Sequence, residues 1–160
     1  MLLEIGNKAP ELNIPNTKNE IVTLKEYAGK FIVIYFYPKD NTPGCTTEGI
    51  EFTDKLVKFH KLNAEVIGMS GDSVDSHCKF ASKYSLEVTL LSDVEHSVLE
   101  SYGVWQKKKN YGKEYFGVVR STFLVDPQGN INYIWRDVKV KDHVEDVLTY
   151  LEELNTVKSR

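Results

Sequence analysis

Phe31 to Tyr37 is an apolar run of the length of a buried strand, hydrophobic at successive positions as a central parallel strand must be. From Pro43 to about Leu62 the period changes. Phe52, Leu56 and Phe59 there share one face of a helix. Ala64 to Met69 predicts the next strand, and Ser70-Gly-Asp-Ser73 supplies a loop and an N-cap for a helix over Val74 to Tyr84. A short strand follows at Leu86 to Leu91, and Ser92 and Asp93 are placed to cap a brief helix over Val94 to Tyr102. Residues 103–116 are polar and lysine-rich and read as a connection. Gly117 to Val125 reads as one more strand, Asp126 to Asn130 as a turn, and Ile131 to Trp135 as the returning arm of a hairpin. Val144, Val147, Leu148 and Leu151 mark an amphipathic helix over His143 to Leu154. Ahead of all this, residues 1–30 predict an extended arm: Pro10, Leu12 and Ile14, a turn at Asn16 to Asn19, a short strand at Ile21 to Leu24, and Gly29 to close it.

Strands alternating with helices and ending in a hairpin and a helix predict an α/β sandwich of three layers around a mixed sheet. With 160 residues and neither repeat nor linker, the expected organisation is one domain over 1–160. Charge narrows the partners. Twenty basic against 23 acidic residues, a formal net charge of −3, leave no basic stripe for nucleic acid. The one basic run, Lys107-Lys108-Lys109, reads as a solvated loop that would at most help to dock an acidic protein. Met1 to Lys8 lacks a secretory h-region and no stretch has the length to span a bilayer, so no membrane association and a cytoplasmic location are expected.

Two cysteines in a chain of this size do not make a disulfide framework. Cys45 stands out by position: a strand ends near Pro38, and Thr42 as N-cap with Pro43 at the first helical position puts Cys45 in the first turn of a helix. Unpaired amide groups and the helix dipole there favour a thiolate. Arg120 lies among Val118, Val119, Phe123, Leu124 and Val125, where an unpaired guanidinium is costly, so it needs an anion. Glu48, one turn after Cys45, is placed either to orient Arg120 or to face solvent. The four histidines lack metal-ligand spacing and read as solvated or capping, and Trp105 reads as a core aromatic rather than a pocket wall. Neither a phosphate-binding glycine loop nor Cys-x-x-Cys occurs, so no cofactor and no metal are expected.

Pro38-x-x-x-Thr42-x-x-Cys45 resembles the active-site signature of peroxiredoxins. With Ser70 to Phe80, Tyr102-Gly-Val-Trp105 and Arg120-Ser-Thr-Phe-Leu-Val-Asp126, the chain looks like the bacterioferritin comigratory protein (PrxQ) subfamily over nearly its whole length. The resemblance implies a thioredoxin-like fold and reduction of hydrogen peroxide and small organic hydroperoxides, with Cys45 as nucleophile and a thioredoxin-like protein as reductant. Thr42 would hydrogen-bond the peroxide, amides near Gly44 and Cys45 would stabilise the anion, Pro38 would cap the pocket and Arg120 would face the sulfur. A monomer is expected. One departure matters: the second cysteine that many members carry five residues after the first is Ile50 here. Other members place a resolving cysteine in the helix after the next strand, where Cys78 falls, and its neighbours His77 and Lys79 predict an exposed, activated site. Two readings compete with this cycle: a one-cysteine enzyme resolved by an external thiol, and a peroxide-sensing or chaperone-like protein.

Overall fold

The computed structural model describes residues 2–158, so Met1, at the start of the predicted arm, lies outside the described residues. The chain runs β1 (Ile14–Pro15), β2 (Ile21–Val22), a 3-10 turn (Leu24–Tyr27), β3 (Phe31–Phe36), α1 (Pro43–Lys61), β4 (Ala64–Ser70), α2 (Val74–Tyr84) and β5 (Thr89–Ser92). It continues with α3 (Ser97–Ser101), β6 (Trp105–Asn110), β7 (Lys113–Val118), β8 (Ser121–Val125), β9 (Ile131–Trp135) and α4 (His143–Lys158).

The central sheet has the order β5-β4-β3-β8-β9. β3 pairs parallel with β4 and β4 with β5, whereas β8 runs antiparallel to both β3 and β9. All six residues of β3 are buried, because the strand is flanked on both edges and covered on both faces. Alternate residues feed two cores. Phe31, Val33 and Tyr35 pack with Phe52, Leu56 and Phe59 of α1, Phe80 of α2, and Val147 and Leu151 of α4. Ile32, Ile34 and Phe36 pack on the other face with Leu12 of the arm and with Leu99 and Tyr102 in and just after α3. This is the three-layer α/β arrangement expected from the pattern.

Close packing is tightest between β3 and β4, where Tyr35 sits opposite Gly68. A Cβ on Gly68 would lie 2.6 Å from the Tyr35 ring and 2.9 Å from Leu90 Cδ2. Tyr35 has little room to yield, since it stacks on Phe52 at 4.5 Å. Gly68→Ala is therefore expected to destabilise the fold by about 2–3 kcal/mol through overpacking. Thermal unfolding would read this as a fall of several degrees; an unchanged midpoint would mean that the ring swings aside.

The structure departs from the sequence reading in several places. Residues 105–118 form an antiparallel hairpin, β6 with β7, not a connection. Its lysines are pinned: Lys107 pairs with Glu114 at 2.7 Å and Lys108 Nζ donates to Val118 O at 2.9 Å. Between Trp105 and Val118, which touch the core, most of its side chains face water and show little alternation to read. The predicted strand from Gly117 to Val125 is two strands, broken at Val119 and Arg120 where the chain crosses from the hairpin to the central sheet. The helix expected over Val94 to Tyr102 is only Ser97–Ser101, and its N-cap is His96 rather than Ser92 or Asp93; Asp93 still reaches its first turn, accepting from Leu99 N at 2.7 Å. Leu24 leaves the second short strand for the 3-10 turn.

Candidate active site

Cys45 occupies the third position of α1, behind Thr42 as N-cap and Pro43 at the helix start. The first helical hydrogen bond runs from Thr46 N to Thr42 O, so the amides of Gly44 and Cys45 belong to the donor-rich end of the helix. The Thr42 hydroxyl does not cap; it donates to Lys39 O at 2.8 Å and stays half-buried beside the helix start. Pro38 is exposed, two residues beyond the end of β3. Cys45 itself is only 2% exposed.

Sheet register explains how Arg120 arrives there. β8 runs antiparallel to β3 with Ser121 opposite Phe36, so the residue before Ser121 projects beyond the end of β3, where the loop to α1 begins. Arg120 Nη2 donates to Cys45 Sγ at 3.3 Å, and Nη1 donates to Glu48 Oε1 at 2.5 Å. Gly44 makes room for this approach: a Cβ there would lie 3.2 Å from Arg120 Nη2. Burial by itself would lower the guanidinium's affinity for its proton, but the charges of Glu48 and Cys45 outweigh it and raise Arg120 further. One fixed cation thus serves two groups one helical turn apart.

Of its two placements, Glu48 takes the buried one, at 0% exposure on the inner face of α1. Burial pushes its carboxyl from 4.5 up to about 7, against the opposing pull of Arg120. Its second oxygen, Oε2, is buried without a hydrogen-bond partner among the described residues. A carboxyl whose folded value exceeds its unfolded one stabilises the protein at low pH, and that contribution is lost as pH rises from 4.5 through 7. The stability of the native chain relative to Glu48→Gln is therefore expected to fall by about 3 kcal/mol between pH 4.5 and pH 8. Denaturant unfolding of both proteins across that range checks it; parallel curves would contradict it.

Two histidines read as solvated or capping are buried instead, each for a definite reason. His143, 5% exposed, meets Thr122 Oγ1 through Nε2 at 2.8 Å, in a wall formed with Phe52 and Trp135. Burial, with a smaller push from Arg120, lowers it to about 4, so it stands as a neutral ring. His77 is fully buried between Asp40 and β5, so Cys78 does not lie on the exposed His-Cys-Lys face that was predicted. Cys78 is half-buried and its thiol donates to Thr17 O at 3.2 Å, on the turn between β1 and β2. Nothing in the sequence marks that contact, because Thr17 and Cys78 are 61 residues apart. Trp105 is partly buried: it packs on the core, stacks on His96 at 3.9 Å, and also walls a cavity of about 370 Å³ beside Pro38 and Lys39.

A buried cysteine at a helix start, held by an arginine just ahead of the antiparallel strand of a thioredoxin-like sheet, defines the class of a thiol-dependent redox protein. Residues 5–134 match the AhpC/TSA family, and the chain belongs to it. Its relatives are Bcp/PrxQ peroxiredoxins, which are thiol-dependent peroxidases. Peroxiredoxin Bcp of Bacillus subtilis is 50% identical over 155 residues, covering 97% of this chain and 99% of its own; the Escherichia coli K12 protein is 38% identical over 151 residues, 94% and 97% of the two chains. Among solved structures, Xanthomonas campestris peroxiredoxin Q superposes with a TM-score of 0.86 at 40% identity, over 94% of this chain and 96% of that one. A mutant of Xylella fastidiosa PrxQ superposes at 0.91 with 39% identity, over 97% and 99%. Among the described residues no helix is long and apolar enough to cross a membrane.

Proposed function

We propose that the chain reduces hydrogen peroxide and small organic hydroperoxides through Cys45, and is recycled by a thioredoxin-like dithiol protein. The observation that carries this reading is the Arg120 guanidinium 3.3 Å from a buried sulfur at the start of α1. In the attack, the Cys45 thiolate forms a bond to one peroxide oxygen as the O–O bond breaks, and the electron pair leaves on the other oxygen. That oxygen takes up a proton and departs as water or an alcohol, leaving a sulfenic acid on Cys45. Arg120 and the amides of Gly44 and Cys45 are fixed donors for the negative charge that passes through the site, and Thr42 offers a hydroxyl to the bound peroxide. Organic hydroperoxides fit the precedent of the Xanthomonas campestris bacterioferritin comigratory protein, whose structures are described in terms of alkyl peroxide reduction.

Cys78 is the proposed resolving thiol: it attacks the sulfenic sulfur, releases water and closes a disulfide that the dithiol reductant reopens. For that it has to give up Thr17 O, and an unwinding of the first turn of α1 is the movement proposed to bring the two Cα atoms within the about 7 Å that a disulfide needs. A monomer in the cytoplasm suffices for this cycle.

With thioredoxin, its reductase and NADPH present, the protein is expected to consume many equivalents of peroxide. Denaturing intact mass after one equivalent, without reductant, is expected to show loss of two hydrogens within one chain. A single slow oxidation would favour a sensor, and a stable Cys45 sulfenic acid would favour resolution by an external thiol.

A further inference from the structure

Away from Cys45, a buried polar cluster ties α2 to the loop that leads into α1. His77 is 0% exposed, and its Nε2 lies 2.9 Å from Leu91 O on β5. A carbonyl only accepts, so Nε2 carries a hydrogen. The other nitrogen, Nδ1, is 2.7 Å from Asp40 Oδ2. Asp40 accepts at both oxygens: Oδ2 also takes the Ser76 hydroxyl at 2.8 Å, and Oδ1 takes the Tyr37 hydroxyl at 2.6 Å. Tyr37 keeps its proton and remains a donor, because burial first, then Tyr35 and Asp40, push it well above its ordinary range. The Tyr37 hydroxyl also lies 3.4 Å from His77 Nδ1, so Tyr37, Asp40, Ser76 and His77 form one buried network.

His77 thus bridges β5 and Asp40 through its two ring nitrogens, out of reach of solvent. A second acidic residue closes the cluster. Asp72, on the connection from β4, has an oxygen within 4.8 Å of the His77 and Asp40 polar atoms, and it accepts from Asp40 N at 2.8 Å and from the Ser70 hydroxyl at 2.7 Å. The charged groups of α2 itself, Asp75, Lys79 and Lys83, lie at the outer groove. One residue further along the loop, Asn41 Oδ1 accepts from Tyr84 at 2.8 Å and from Lys83 at 3.4 Å, and Asn41 holds a left-handed φ of 64°. α2 thus grips Asp40 and Asn41, the two residues directly before Thr42-Pro43-Gly44-Cys45.

We propose that His77 is a positioning residue of the peroxide cycle: its buried hydrogen bond with Asp40 latches the loop 38–42 onto α2, holding Cys45 in the folded helix start during attack. The latch opens when Cys45 moves toward Cys78. The second half rests on the reading of Cys78 as the resolving thiol; the first half does not. The same helix carries the latch and the second cysteine on adjacent residues, so a change in one is mechanically a change in the other.

Single-turnover stopped flow tests it, following Trp105 and Trp135 fluorescence after mixing reduced protein with peroxide. An oxidation phase that scales with peroxide is expected, followed by a peroxide-independent disulfide phase. His77→Gln keeps a donor for Leu91 O but loses the ring nitrogen that meets Asp40, and is expected to slow the first phase about tenfold while quickening the second severalfold, as the population shifts toward the open loop. Asp40→Asn is expected to move both phases in the same directions. Hydrogen exchange of the reduced proteins is expected to show protection of the Thr46 amide, which donates to Thr42 O, falling about tenfold in His77→Gln while the central sheet keeps its protection. Unchanged protection at Thr46, or two phases that are unchanged or fall together with the folded fraction, would overturn the proposal. Absence of the second phase in the unsubstituted protein would remove the Cys78 reading alone, with the first phase and the exchange at Thr46 still deciding the latch.

Discussion

Cys45→Ser is expected to abolish peroxide turnover, lowering the rate of peroxide consumption by more than ~10³-fold. Serine is close in size and the site is 2% exposed, so the fold has no reason to change. What changes is the nucleophile. A serine hydroxyl remains protonated where a cysteine is readily ionised, and the field of Arg120 and the helix start is too small to close so large a gap. Arg120 would keep its hold on Glu48, and circular dichroism and thermal unfolding should match the native chain. Peroxide consumption measured with the thioredoxin system in excess checks the result. Residual turnover within tenfold of the native protein would place the chemistry elsewhere, and Cys78 is the remaining thiol to which it would then be assigned.

Arg120→Ala is expected to have the second largest effect, slowing peroxide attack by about 10²–10³-fold. Its removal takes away the donor to Cys45 Sγ and the cation beside Glu48 at one stroke. The sulfur would have to become anionic in a buried site with only helix amides to receive the charge. Glu48 would also be left buried beside it without a cation, and removing one member of a buried pair costs about 3–5 kcal/mol. The variant should thus be less stable as well as slower, and the deficit in stability should grow as pH rises through 7, where Glu48 ionises. Arg120→Lys separates charge from geometry. A single ammonium does not span both partners as the guanidinium fork does, so partial recovery of stability with poor recovery of rate is expected. Second-order rate constants from stopped flow, beside denaturant curves at pH 6 and pH 8, provide the check; a full rate in Arg120→Ala would remove Arg120 from the chemistry.

Much of the scaffold is legible in the pattern of residues because local physics dictates it. α2 begins where Ser73 Oγ accepts from Ser76 N, and ends at Ser85 in a left-handed turn. β3 is visible as an uninterrupted apolar run because both its faces are covered. The β6–β7 ribbon escapes notice for the opposite reason: most of its side chains meet water, so neither period is imposed on them. The division of Gly117 to Val125 into two strands is hidden as well, since the break at Arg120 is set by which sheet each half joins.

The chain alone determines an α/β sandwich and the placement of Cys45 at a helix start behind Thr42 and Pro43. Those depend on periodicity and on the few residues around a cap, and both are local. Only the tertiary structure decides what surrounds the sulfur. The antiparallel register of β8 on β3 carries Arg120 across 75 residues to Cys45, the inner face of α1 turns Glu48 inward, and the packing of α2 buries His77 against Asp40. Each of these contacts joins residues distant in sequence or chooses one face of a helix over another. That choice is made by the burial of the whole sheet, which no short stretch of sequence contains.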